Sequence, residues 1–324
     1  DALGCALTRP PRNPPHPRMS ISASSAAERK ALWQIHACVL LWGFTAILGK
    51  LIALPAMALV IWRVGIVAVS LAIVPSVWRE LRTLGARNIA LFAAISCVIA
   101  VHWLAFFAAI KIANASVAVA CLALSSIFAA IIEPTLTGRR HQWDELALGV
   151  LAIPGVWLLV GGVPTGMQVG VLIGTAAAFL TALFAALNKR YVTRGDPASI
   201  TFVQMASGGL FLALIGSLTL GVEATLQQPS MSDFGWLLLL ALVCTLLPFL
   251  LFLRALRHIT AFTTQLALNL EPVYAIILAA LLFREYTELT PRFYLGVALI
   301  LAVVFAQPYL QRRLRGMTPN SVGS

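Results

Sequence analysis

The sequence predicts an all-α integral membrane protein: ten transmembrane helices arranged as two inverted five-helix repeats. Three observations predict it. The first is composition, since 60% of the 324 residues are hydrophobic and only 11% charged, against roughly half and a quarter in soluble domains. The second is a series of apolar runs, each long enough to cross about 30 Å of hydrocarbon at about 1.5 Å per residue. The third is a recurrence of the pattern at a shift of 146 residues.

In chain order, residues 1–30 form an expected disordered cytoplasmic leader. It is rich in proline (Pro10, Pro11, Pro14, Pro15, Pro17) and includes Met19, a candidate natural start. The runs fall at 31–52, 56–77, 88–110, 114–136, 145–162, 168–188, 198–221, 233–253, 260–283 and 292–310. Backbone groups in lipid must be satisfied within the chain, so each run is expected to be helical. The first is not a cleaved signal, because nine more follow it without a processing pattern. Residues 31–162 make the first expected repeat, 168–310 the second, and 311–324 a basic cytoplasmic tail.

The charges sort by side. With the N-terminus inside, 18 of the 23 Lys and Arg residues lie in cytoplasmic segments. Lys50, Lys111, Arg284 and Arg292 lie opposite, and Arg63 lies within the second run. This positive-inside bias places both termini in the cytoplasm. It also accounts for the net charge of +11 without a nucleic-acid partner. The five cysteines form no CxxC pair and read as small buried side chains, with no disulfide framework, metal or other cofactor expected.

The repeat is most visible where ASVAVACLALSSIFAAIIEPTL (115–136) lies over AFTTQLALNLEPVYAIILAALL (261–282). Ala115/Ala261, Leu122/Leu268, Leu124/Leu270, Ala129/Ala275, Ile131/Ile277 and Leu136/Leu282 coincide. Five helices is an odd number, so the second half enters the membrane inverted. Inverted repeats are a hallmark of secondary transporters, whose substrate sites lie near the midplane between the halves.

LWGFTAILGK (41–50), WRVG (62–65), the two matched segments and LEPVYAIILAALLFRE (270–285), followed by LGV (295–297), resemble the EamA-type members of the drug/metabolite transporter superfamily. The resemblance covers about 31–310. It implies a ten-helix carrier in the cytoplasmic (inner) membrane that moves small organic metabolites, with export the expected direction. It also implies a midplane cavity built from the first, third, fourth, sixth, eighth and ninth spans. The first half departs from the pattern, with Arg139 standing where the second has Glu285.

Glu271 is the anomaly of the ninth run. Eleven strongly apolar residues between Ala261 and Phe283 contribute roughly −3 to −7 kcal/mol to insertion, and a central acid opposes it by about 2.5 to 3.5. The run still spans, so Glu271 must serve something else: proton or ion coupling, or structural pairing with Arg63. Pro272 is expected to free the carbonyl of Leu268 within that helix. Gln265 and Asn269 share one face, with Glu271 about 200° round from Asn269.

Arg63 is a candidate for binding an anionic solute or for packing. His102, Trp103 and Phe106 could line a pocket for a planar or amphipathic solute. Ser125 is the repeat-mate of Glu271, and Trp42, Asn188 and Tyr274 complete the candidate cavity residues. Glu285 reads as a boundary carboxylate that anchors a helix. Gly170, Gly174, Ala178, Ala182 and Ala186 form a small-residue ridge for close helix approach.

The rival class is an integral-membrane enzyme acting on a lipid-like or small substrate. It would need clustered nucleophiles or metal ligands, whereas His16, His36, His102, His141 and His258 are scattered and no HExxH or GxSxG motif occurs. The expected partners are therefore the lipid bilayer and a small-molecule substrate moved by alternating access, with exchange and proton coupling both open. A homodimer is compatible with the sequence but not required by it.

Overall fold

The computed structural model describes the backbone of residues 21–137, 143–259, 267, 268 and 270–316. Most of the leader, Arg139, Gln265, Asn269 and the end of the tail lie outside the described residues. Among the described residues the regular structure is entirely helical: α1 (Ile21–Leu51), α2 (Ala56–Ala72), α3 (Pro75–Leu84), α4 (Ala86–Ile112), α5 (Ala115–Leu122), α6 (Ser125–Thr137), α7 (Trp143–Gly161) and α8 (Gln168–Tyr191) in the first part, then α9 (Pro197–Leu220), α10 (Val222–Thr225), α11 (Met231–Leu238), α12 (Leu247–Ala255), α13 (Glu271–Phe283) and α14 (Pro291–Gly316).

Every expected run contains a helix. Among the described residues, six helical stretches, α5–α6 and α11–α12 each taken as one, are long and apolar enough to cross a membrane, and α2 with α3 makes a seventh if that bent pair is one span. The second expected run, 56–77, is divided. Its helix stops at Ala72, and Pro75 opens α3 at 93° to it. A proline at the first helical position loses no bond there but cannot continue a helix from before it. α9 is defined by its cap: the Asp196 carboxylate accepts from the amides of Ala198 and Ser199, with Pro197 next in line.

Two interruptions occur at matching places. α5 and α6 are separated by a tightened turn in which the Leu124 amide donates to Cys121 O. The Ser126 hydroxyl donates back to Ala123 O at 3.1 Å, a local bond that competes with the helical ladder. A shift of 146 carries Ser125–Thr137 onto Glu271–Phe283, the bounds of α6 and α13. Pro272 is consequently not inside a helix, as the sequence suggested. It occupies the first turn of α13, where its missing N–H has no bond to lose.

A third irregularity lies between α11 and α12, where residues Leu239–Leu246 wind as a π-helix. Pro248 follows immediately and has no amide for the Cys244 carbonyl, so the ladder is shifted at this point.

Close packing relies on glycine and alanine. The ridge of α8 is buried throughout, and a Cβ on Gly170 or Gly174 would meet Ala113 or Cys121 at 2.7 and 3.0 Å. A Cβ on Gly296 would lie 2.7 Å from Gly155 O, so α7 and α14 touch backbone to backbone. At Gly162 an added Cβ would stand 2.2 Å from the amide nitrogen of Phe293. Gly162→Ala is expected to lower stability by about 1–3 kcal/mol through overpacking. Gly166→Ala, with nothing within 4 Å, is the neutral comparison. Thermal unfolding of the two detergent-purified variants checks the difference.

Candidate functional site

A cavity lies where α1, α2, α4, the α5–α6 interruption, α8, α12 and the start of α13 converge. About 830 Å³ of space not filled by atoms lies within it and its mouth, open solvent included. Its walls are largely aromatic: Trp42, Trp103, Phe106, Phe184, Phe249 and Phe252. Trp42 meets Phe252 edge-on at 5.6 Å, and Trp103 lies 6.1 Å from Phe249. Such rings offer flat apolar faces to a ligand while holding one another in place.

Polar groups are few: Thr45, Arg63, His102, Ser125, Thr181 and Glu271. Arg63 on α2 is 1% exposed. Its Nε donates to Thr245 Oγ1 at 2.6 Å, and its guanidinium carbon stands 4.5 Å from the Trp103 ring centre. The Thr245 hydroxyl donates in turn to Leu240 O, five residues back, so the π-helical winding brings it to Arg63. Arg63 Nη1 is buried with no partner, as is the hydroxyl of Thr45, and both residues line the cavity.

Glu271 is half-buried on the same wall system. Its charge attracts that of Arg63, but no ion pair within 4.0 Å joins them among the described residues. The direct Arg63–Glu271 pairing weighed from the sequence is therefore not made. His102 Nδ1 lies 2.8 Å from Ala177 O. A carbonyl only accepts, so Nδ1 carries the hydrogen and the ring is held against α8. Ser125 and Glu271 are the first residues of α6 and α13, so two helix N-termini, each with partial positive charge, open onto one space.

Of the residues expected from sequence, the cavity brings together Trp42, Arg63, His102, Trp103, Phe106, Ser125 and Glu271. Asn188 is elsewhere, fully buried, donating to Phe184 O and accepting from Gln204 Nε2. It ties α8 to α9. Tyr274 is exposed beside Gly43 and does not line the cavity. Gln265 and Asn269 lie outside the described residues.

Sequence reading missed Thr45, Thr181, Phe184, Phe249 and Phe252. The repeat held a signal for two of them. The same shift of 146 relates Trp103 to Phe249, Phe106 to Phe252, Leu122 to Leu268 and Ser125 to Glu271, and both members of all four pairs line the cavity. Matching positions of the two repeats thus line one site, and at one such pair Glu271 stands opposite an uncharged Ser125.

A family model described as the EamA-like transporter family matches residues 29–161 and again 168–306. Among solved structures, one described only as the crystal structure of a protein superposes with a TM-score of 0.59 at 18% identity, covering 91% of this chain and 99% of its own. At that identity the likeness is one of fold. No curated protein matches the chain.

Proposed function

From the premise that the chain belongs to the EamA-like transporter family, and so is a multi-pass membrane transporter, we propose that it is a secondary carrier of small zwitterions with an apolar or aromatic body. The observation that carries this reading is the pair of opposite charges on one cavity wall, Arg63 with an unpartnered Nη1 and Glu271 not ion-paired to it. A buried charge left without a partner is costly. An anion alone would leave Glu271 unmatched, a cation alone would leave Arg63 unmatched, and a neutral solute would leave both. A carboxylate at Arg63 and an ammonium at Glu271 satisfy both, and the aromatic walls take the apolar body. An α-amino acid with a large side chain is the simplest such solute.

Glu271 cannot hold the solute's ammonium and a proton at once, which makes exchange of one for the other the natural coupling. Ten crossings, with 31–162 and 168–310 as the rocking halves, give alternating access. The positive-inside bias supports cytoplasmic termini and the inner membrane, and the family resemblance supports export.

The test is a thermal-shift series on purified protein, since a ligand that binds the folded state raises its stability by mass action. An aromatic α-amino acid is expected to stabilise it, whereas its N-acetyl and amide derivatives, each lacking one charge, are not. Equal stabilisation by the N-acetyl form would replace the zwitterion with an anion. Equal stabilisation by the amide would remove Arg63 from recognition.

A further inference from the structure

The end of the bundle that the charge bias places outside is fastened by a buried carboxylate. Glu285, just past α13, is 0% exposed. It accepts from Lys50 Nζ at 2.6 Å, from the Ser116 amide at 2.8 Å and from the Ala115 amide at 3.2 Å. One side chain of the second half therefore holds the end of α1 and the start of α5, both from the first half. The chain turns sharply to place it: Arg284 has φ 53°, the only positive φ at a non-glycine among the described residues. That conformation is disfavoured for residues with a Cβ and persists where surrounding contacts enforce it. Lys50 also lies over the Phe283 ring at 4.7 Å. Beside it, Asn114 caps α5 and donates to Glu288 at 3.1 Å.

This cluster and the cavity are mechanically joined. α13 runs about 20 Å from Glu271 on the cavity wall to its end beside Glu285, and α5 runs from the Glu285-bound amides to Leu122 on the same wall. At the opposite end the repeat places a related contact of different chemistry. Lys50 and Arg190 are the second-last residues of α1 and α8, and Arg190 donates to Leu136 O near the end of α6. Lys189 donates to Leu256 O and Ile259 O, with Glu133 nearby. The repeat-mate of Glu285 is Arg139, which has no lone pair to accept a cation's hydrogen.

We infer that the Lys50–Glu285 pair, with the Ala115 and Ser116 amides, is the latch that closes the cavity on this side, and that outward opening consists of breaking it. The carboxylate is fully buried while the Lys50 side chain is 30% exposed, so the lysine can reach water as the contact parts. Opening hydrates each charge separately, which makes the bond reversible where a buried apolar contact would resist wetting. Losing one partner leaves the other unpaired in the closed state alone, and so favours the open state. The inference rests on the alternating-access part of the proposed function and is independent of the substrate assigned.

Spin labels at exposed Ile112 and Tyr286, in full-length protein with its cysteines replaced and reconstituted in liposomes, report the width of this end by dipolar distance measurement. Labels at Thr135 and Thr193 report the other end. No solute is added, so the zwitterion reading is not engaged. In Glu285→Gln, and separately in Lys50→Met, a longer-distance population at the first pair is expected to grow at least tenfold while the second pair keeps its distribution. An unchanged first pair in whichever variant folds would overturn the latch. So would equal broadening at both ends, which is general loosening.

Discussion

Arg63→Ala is expected to reduce kcat/KM for a zwitterionic solute by about ten- to a hundredfold, the equivalent of the roughly 1.5–3 kcal/mol of a charge-assisted hydrogen bond. The expectation follows from the orphaned Nη1 on the cavity wall. Its Nε is already engaged by Thr245 and its face by Trp103, so the guanidinium is held still while its two terminal nitrogens make no hydrogen bond among the described residues. Arg63→Lys keeps the charge but not the fork that bonds Thr245 and a carboxylate together, and should retain only part of the activity. Flux into proteoliposomes, for the zwitterion and for its amide, separates recognition from packing. If both solutes lose the same factor, Arg63 acts through structure alone.

Glu271→Gln is expected to abolish accumulation driven by a pH gradient and, because Glu271 also takes the solute's ammonium, to weaken solute–solute exchange without stopping it. Glutamine occupies nearly the same volume on the wall of the cavity and accepts a hydrogen bond, but it neither gains nor loses a proton near neutral pH. A carrier whose proton site is removed can still shuttle loaded in both directions, because that half-cycle never requires the empty site to be protonated. The measurement is radiolabelled accumulation in proteoliposomes with and without an imposed gradient, alongside counterflow. Concentrative accumulation at wild-type level in the variant would remove Glu271 from coupling. Counterflow at the wild-type rate and solute affinity in the variant would remove the ammonium contact at Glu271.

Much of the architecture was legible in the sequence because its cause is local. Whether a run enters the bilayer depends on a sum over its own side chains, and the side preference of Lys and Arg needs no tertiary information. Candidate site residues were legible to the degree that polarity inside an apolar run is rare: Arg63, His102 and Glu271 stood out and share one cavity. Phe249 and Phe252 were hidden among other apolar residues, and only the repeat register marks them as partners of Trp103 and Phe106. Asn188 stood out equally but is engaged between α8 and α9, because polar residues in membrane helices also serve as interhelical bonds.

Glu285 shows the limit most plainly. By position it is a boundary carboxylate, and boundary carboxylates usually face water. In the fold it is fully buried and holds three donors from two other helices. Pro272 is the second case: a proline in an apolar run reads as a kink, yet it stands in the first turn of a helix that begins at Glu271.

By itself, the sequence determined that the chain lives in a membrane, that its two halves repeat, and that a few ionisable groups are placed where only function or pairing would keep them. Those properties follow from composition, periodicity and charge within each segment. The tertiary structure alone decided where α13 starts, which of the polar residues face one space, and that Arg63 and Glu271 share a cavity without pairing. The reason is physical. Helix rotation, axial register and the partner of a buried charge are set by the shapes of neighbouring helices, and those neighbours lie tens to hundreds of residues away in the chain.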